Sequence, residues 1–257
     1  MSSQSESKIN HLLKAWPKGT VGTSQWLRSQ GVYRQLADTY VKGSWLERVG
    51  RGAFKRSGDE VQWTGAVYAL QTQLKLSSHP AGKTALQLLG YAHYVALGPE
   101  SAVVLFGSQN EKLPAWFHQY DWKTKIRYTM TRLFGDEKIL GLANYKAGDY
   151  SIKISSSERA MFEVCYDVPE KESYEEAALF MEGLTTLRPE LVQALLEQCR
   201  SVKTKRLFMH LAERENHSWV KRLNLKKVDF GSGNRVLCKD GQYDRKYKIV
   251  VPKEKGA

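Results

Sequence analysis

No stretch of the chain approaches the roughly 20 consecutive apolar residues that a membrane-crossing helix needs. The first residues, MSSQSES, are polar and unlike a secretory signal. No membrane partner is expected, and a cytoplasmic location is. Cysteine is scarce: Cys165, Cys199 and Cys238 are the three in 257 residues, odd in number and far apart. That spacing excludes a disulfide framework and a paired-cysteine zinc site, and it suits a reducing compartment. Proline is sparse, and Pro17, Pro80 and Pro99 fall where elements end. Catalytic signatures are missing as well. His11, His79, His93, His118, His210 and His217 never stand in H-E-x-x-H or beside a cysteine pair, and no G-x-S-x-G is found. Gly107-Ser108 follows a strand as in nucleotidyltransferases, but Asp121-Trp122-Lys123 offers no acidic pair to hold metal. Asp229-Phe230-Gly231 lacks the phosphate loop of a kinase, and Gly231-Ser232-Gly233 reads as a turn. No enzyme activity, metal or cofactor is expected.

Positive charge is what the chain has in excess. Its formal net charge is +12 and its pI about 9.5, a balance that favours polyanionic partners. The excess is uneven. Residues 1–99 carry +7 and residues 200–257 carry +10, while residues 158–199 carry −7. Two basic regions thus flank an acidic one. A hydrophobic fraction of 42% is ample for packed cores.

The first basic region is organised around residues 22–56. Thr23 or Ser24 is suited to cap a helix whose apolar side carries Trp26 and Leu27. Gly31 supplies a tight turn. A second helix is predicted from Tyr33 to Lys42, with Leu36, Ala37, Tyr40 and Val41 inward and Arg34, Gln35, Asp38, Thr39 and Lys42 outward. Gly43 is expected to end it as the left-handed C′ residue. Leu46–Val49 and Ala53–Arg56 then read as strands about the turn Gly50-Arg51-Gly52. Helix, turn, helix and basic hairpin together describe a winged helix-turn-helix. Seven Lys/Arg face two acids between Arg28 and Arg56. The expected DNA-contact set is Ser24, Tyr33, Arg34, Gln35, Thr39, Lys42, Arg48, Arg51, Lys55 and Arg56. Arg34, Gln35 and Thr39 are the candidates for base edges, and Arg48, Arg51, Lys55 and Arg56 for phosphates or the minor groove.

The string Trp26-Leu27 … Gly31-Val32, then a helix, then Lys42-Gly43-Ser44-Trp45-Leu46-Glu47-Arg48-Val49-Gly50-Arg51-Gly52-Ala53-Phe54 resembles the N-terminal domain of AbiEi-like antitoxins of the AbiE type IV toxin–antitoxin, or abortive-infection, family. The likeness extends more loosely through Ser157-Glu158-Arg159-Ala160 and Lys205-Arg206-Leu207-Phe208. It implies a bacterial two-domain protein that represses its own operon and counteracts a nucleotidyltransferase-like toxin, directly or functionally. The implied partners are double-stranded operator DNA, read as an inverted repeat by paired copies, and the cognate toxin. When bound to its operator such a protein is nucleoid-associated.

The rest of the chain reads as α+β. A first helix is predicted over residues 6–16, with Ile9, Leu12, Leu13 and Trp16 on one side, and further helices over 60–76, 83–89 and 92–97. Residues 102–106, 125–134, 139–145 and 150–154 read as strands, with a loop over 108–122. Ser155 and Glu158 have the spacing of a capping box before a helix ending near Val168. Acidic helices follow from Tyr174 and Pro189. A helix over Val202–Arg214, a short one over His217–Leu223 and a hairpin about Asp240-Gly241 complete the chain. The expected division is 1–98 for the winged helix-turn-helix with trailing helices and 99–257 for a mixed α/β antitoxin domain. Lys203, Lys205, Arg206, Lys221 and Arg222 are the expected antitoxin face, because the resemblance assigns that activity to the C-terminal domain. The alternative is a DNA-binding regulator whose C-terminal domain senses a ligand or partner.

Overall fold

A computed structural model describes residues 8–91, 102–135 and 140–253. The predicted helix at 92–97 and the beginning of the predicted strand at 139 lie outside them. The chain forms two compact units. The first comprises the N-terminal residues to His79 together with Gly107–Lys125 and Asn144–Lys153, and the second comprises the remainder. Among the described residues no helix is long and apolar enough to cross a membrane.

The first unit is seeded by an apolar stripe. Helix α1 (Lys8–Ala15) buries Leu12, and Trp16 follows it into the same core. There they meet Leu27 of α2 (Ser24–Ser29), Val32, Ala37 of α3 (Arg34–Lys42), Leu46 of β2 (Leu46–Gly50) and Phe54 of β3 (Ala53–Arg56). Strand β1 (Gly22–Thr23) pairs antiparallel with β3, giving the sheet order β1-β3-β2. These elements, in this order, are a winged helix-turn-helix, with the α2–α3 turn and the β2–β3 hairpin where the sequence places them. Gly31, at φ 77°, makes the turn.

Later segments complete this unit. Helix α4 (Trp63–Thr72) presents Gln71, whose amide bonds both the N–H and the C=O of Lys153 at 2.8 Å. Lys153 lies on β8 (Tyr150–Ser155), which pairs with β7 (Leu142–Ala147). Residues 115–119, expected as loop, form the short helix α6 (Ala115–Gln119), with Trp116 and Phe117 buried. It packs on β2, where a Cβ on Gly50 would come within 2.8 Å of Trp116 Cβ.

The second unit is built on helices. Helix α5 (Gly82–Leu88) packs against α7 (Ser157–Asp167), and α7 also meets α8 (Tyr174–Gly183), α9 (Pro189–Gln198) and α10 (Val202–Arg214). Phe162 of α7 stacks on Phe208 of α10 with ring centroids 4.0 Å apart. Glu163, fully buried, accepts from Gly82 N, Ser155 Oγ and Arg159 Nε at 3.0, 2.7 and 2.8 Å. A buried carboxylate is tolerable only when its oxygens are occupied in this way. Strand β5 (Val103–Ser108) lies between β4 (His79–Pro80) and β6 (Ile126–Thr131) in its sheet.

Two expectations are corrected here. Ser155 and Glu158 do not form a capping box: Ser156 is the N-cap of α7, Ser155 serves Glu163, and Glu158 binds Arg188 through both oxygens at 2.8 and 2.9 Å. A capping box is made instead by Ser173 and Glu176 at α8. The C-terminal strands are not a simple hairpin either. β9 (Arg235–Val236) runs parallel to β11 (Ile249–Val251), and β10 (Gln242–Asp244) pairs antiparallel on the other side of β11. Ile249 and Val251 are the buried residues of this sheet, so β11 takes its centre.

Candidate nucleic-acid interface

Helix α3 turns its apolar side inward: Ala37 is buried, and Leu36, Tyr40 and Val41 pack against the same core half-covered. That leaves Arg34, Gln35, Thr39 and Lys42 exposed. Thr23 caps α2 by accepting from Trp26 N at 3.2 Å, which leaves the neighbouring Ser24 exposed. Tyr33, the N-cap residue of α3, is 61% exposed and makes no side-chain cap. The first-turn N–H groups of α3 therefore remain available to an anion, as helix N-termini commonly offer.

The far end of α3 closes differently from expectation. Gly43 has φ −82°, and Ser44 at φ 56° is the left-handed residue. Ser44 N bonds Val41 O at 3.1 Å and Trp45 N bonds Tyr40 O at 2.9 Å, the two bonds of a Schellman motif. A Cβ on Gly43 would lie 3.2 Å from Cδ1 of the half-exposed Trp45, a tight contact that a small shift of that ring relieves.

Between α3 and the wing lies a groove of about 280 Å³ that Arg28, Tyr33, Arg34, Arg48, Arg51 and Asp38 help to line. Four arginines thus share it with one acid. That acid is already engaged, with Arg48 Nη2 2.5 Å from Asp38 Oδ1. The Arg48 guanidinium also lies 5.2 Å from the centre of the Phe54 ring. Arg28 was not in the expected contact set. Its position in the last turn of α2, three residues before the glycine turn, is the signal that would have found it.

Of the ten expected contact residues, Ser24, Tyr33, Arg34, Gln35, Thr39, Lys42, Arg48 and Arg51 are exposed, while Lys55 and Arg56 are half-buried. Lys55 pairs with Glu47 at 2.9 Å and donates to Asp59 O at 3.0 Å. The Lys55 bond to Glu47 itself, with those from the Gly58 N–H and the Ser57 hydroxyl, holds the Glu47 carboxyl at about 2. Arg56 Nη1 donates to Leu13 O and Trp16 O at 3.3 and 3.1 Å, tying β3 to the end of α1. Both residues brace the wing from behind, and the groove cations lie in front.

The five residues expected as an antitoxin face are not brought together on a surface. Lys221 and Arg222 are exposed, in the 3₁₀ turn Ser218–Arg222, and Arg222 meets Glu190 at 2.8 Å. Lys203 is half-buried and donates to Tyr166 O at 2.7 Å and to Val168 O. Lys205 and Arg206 are 5% and 1% exposed. Arg206 spends its guanidinium on the carbonyls of Phe230, Gly231, Gly233 and Lys248. Four of its five N–H donors are thus committed to backbone, and the side chain is buried away from any surface partner.

A helix-turn-helix with a basic wing, in a chain that also carries a second α+β unit, defines a winged-helix protein of the regulator class. Family models agree with that class along the chain. Residues 5–97 match the N-terminal domain of the AbiEi antitoxin transcriptional regulators, and residues 100–252 match the AbiEi antitoxin, type IV toxin–antitoxin system, transcriptional regulator. The chain belongs to this family. Its fold is similar to that of the RV2827C protein from Mycobacterium tuberculosis in a crystal structure. The TM-score is 0.61 and the identity 14%, over 94% of this chain and 89% of that one. No curated protein sequence matches the chain.

Proposed function

We propose that this protein binds operator DNA through its winged helix-turn-helix, represses its own operon and counteracts a nucleotidyltransferase-like toxin. The observation that carries the DNA half is the groove in which Arg28, Arg34, Arg48 and Arg51 line the space between α3 and the wing. In this reading α3 enters the major groove. Arg34 and Gln35 read guanine and adenine edges and Thr39 supports them. Thr39 Oγ1 already donates to Gln35 O at 3.0 Å, so it offers base edges its lone pairs and methyl group. Ser24, Tyr33, Lys42, Arg48 and Arg51 hold phosphates, while Lys55 and Arg56 set the wing's orientation. Two copies on an inverted repeat satisfy the two-fold match of protein and operator.

The toxin half rests on family membership. The boundaries of the two family matches support a functional division at 1–98 and 99–257. Of the residues first considered for the antitoxin face, Lys221 and Arg222 are the exposed pair, and the proposal keeps them. A reporter fused to the upstream region, with a neighbouring nucleotidyltransferase gene co-expressed, tests both halves. Repression is expected to fail in Arg34→Ala while rescue from the toxin persists. Rescue is expected to weaken when Lys221 and Arg222 are both changed to Glu, with repression intact. Full repression by Arg34→Ala refutes the DNA assignment, and undiminished rescue by the double variant refutes the toxin assignment.

A further inference from the structure

Helix α10 starts at a cavity of about 580 Å³ whose lining includes Glu197, Gln198, Arg200, Val202, Lys205 and Asp229. All of these residues belong to the second unit. Lys205 is 5% exposed, and no described residue accepts a hydrogen bond from its ammonium or forms an ion pair with it. Its stem is covered, while its ammonium is not among the fully buried partnerless atoms and opens on the cavity that Lys205 lines. Beside it, Gln198 Oε1 is buried with no donor. The Arg200 guanidinium is exposed and has no partner among the described residues.

The frame around these groups is fixed. Phe134 and Cys199 form an antiparallel bridge, and Arg200 N donates to Leu133 O at 2.8 Å. A Cβ on Gly135 would stand 3.7 Å from Arg200 Nη2 and 4.0 Å from Gln198 Oε1, so both groups converge over this glycine. The first turn of α10 adds its own field. Ser201 Oγ accepts from Thr204 N at 3.2 Å, which leaves the N–H groups of Val202 and Lys203 without acceptors among the described residues. The two carboxylates of the lining are occupied and exposed. Glu197 Oε1 accepts from Gln193 Nε2, and Asp229 Oδ1 accepts from Gly231 N, each at 2.7 Å.

We propose that this cavity binds the phosphate group of a small phosphate ester. Lys205, Arg200 and the first-turn N–H groups of α10 hold the oxyanion, and Gln198 Oε1 accepts from an O–H or N–H of the attached molecule. A tetrahedral phosphate offers several acceptor oxygens to donors arriving from a helix end and two side chains. The cavity lies within the range of about 300–1,000 Å³ typical of small-molecule sites, which favours an ester of nucleotide size over the bare ion. The site is independent of the DNA-binding assignment, and it gives the second unit a ligand to sense.

Isothermal titration calorimetry on the full chain, at constant ionic strength, tests this with three probes: inorganic phosphate, adenosine monophosphate and adenosine. Saturable binding of the monophosphate is expected, and none of adenosine. Lys205→Met keeps the apolar stem and is expected to weaken binding about 10-fold or more, as loss of a charge-assisted bond does. Arg200→Ala, at an exposed position, gives the same direction even if the Lys205 variant fails to fold. Gln198→Leu is expected to weaken the monophosphate while leaving inorganic phosphate unchanged. Tighter binding of inorganic phosphate than of the monophosphate keeps the phosphate site and assigns it to the free ion. Absence of saturable binding by both phosphates, equal binding of adenosine, or unchanged affinity in Lys205→Met and Arg200→Ala overturns the proposal.

Discussion

Arg206→Met is expected to cost the second unit more than any exposed charge change nearby. The guanidinium donates from Nε to Phe230 O at 2.9 Å, from Nη1 to Gly233 O at 2.5 Å and to Lys248 O at 3.0 Å, and from Nη2 to Gly231 O at 3.0 Å. Bonds to a charged donor contribute roughly 1.5–3 kcal/mol each. The plain sum overstates the loss, because Gly231, Gly233 and Lys248 are exposed residues whose carbonyls water can reach, and methionine keeps the apolar stem. A net loss of about 3–5 kcal/mol remains. At roughly 2–4 °C per kcal/mol for a chain of this size, the melting temperature falls by about 6–20 °C. Urea denaturation followed by circular dichroism, with calorimetry alongside, measures both quantities. Lys221→Glu with Arg222→Glu is the control, and its surface changes stay within about 1 kcal/mol in total. A loss below about 1 kcal/mol for Arg206→Met would refute the view that this arginine organises the turn at 230–234. By the same reasoning, charge reversal at Lys203, Lys205 and Arg206 together is expected to destabilise the second unit more than Arg206→Met alone.

The other expectations are local. Burial opposes ionisation of Glu158, but the bonds from Arg188 prevail and hold it at about 2, against 4.5 for a free carboxyl. A depressed carboxylate contributes stability that is complete above the free value and is lost as pH falls, here between about 4.5 and 2. That contribution is at most about 3 kcal/mol, so Glu158→Gln should lower stability at neutral pH and flatten the acid limb of a urea-midpoint profile. An acid limb identical to that of the parent chain would count against it. Gly50→Val forces side-chain atoms into the space held by Trp116 and should cost about 1–3 kcal/mol by calorimetry. An unchanged melting temperature would show that α6 does not constrain the wing. On duplex DNA, Gln35→Ala should lose affinity at one base pair by about 1–3 kcal/mol, whereas Arg51→Ala should weaken all sequences alike and reduce the salt slope by about 1. Sequence-selective loss in Arg51→Ala would reverse the assigned roles.

The N-terminal module was legible because its signals are local. The helix-turn-helix, Gly31 and both wing strands were readable from periodicity and turn chemistry over 35 residues, and the structure places them accordingly. What was not legible depended on distant partners. Lys55 and Arg56 look like phosphate contacts until Glu47, Asp59 and the end of α1 are seen to occupy them. Lys203, Lys205 and Arg206 look like a surface in the sequence, but carbonyls at 166, 168, 230, 231, 233 and 248 draw two of them inward. The C-terminal strands are two or three residues long, too short for pattern to decide parallel from antiparallel. Helix α6 has five residues, below the length at which periodicity becomes readable.

The most direct measurement is fluorescence anisotropy of the full chain on a duplex from the region upstream of its own coding sequence. It compares the parent with a variant in which Arg28, Arg34, Arg48 and Arg51 are all changed to Ala. With six or more phosphates engaged, affinity of the parent should drop roughly 10³-fold between about 50 and 200 mM salt. The variant should bind weakly with a shallow slope while keeping the parent's circular dichroism. Equal affinity and equal salt dependence in the folded variant would contradict the account.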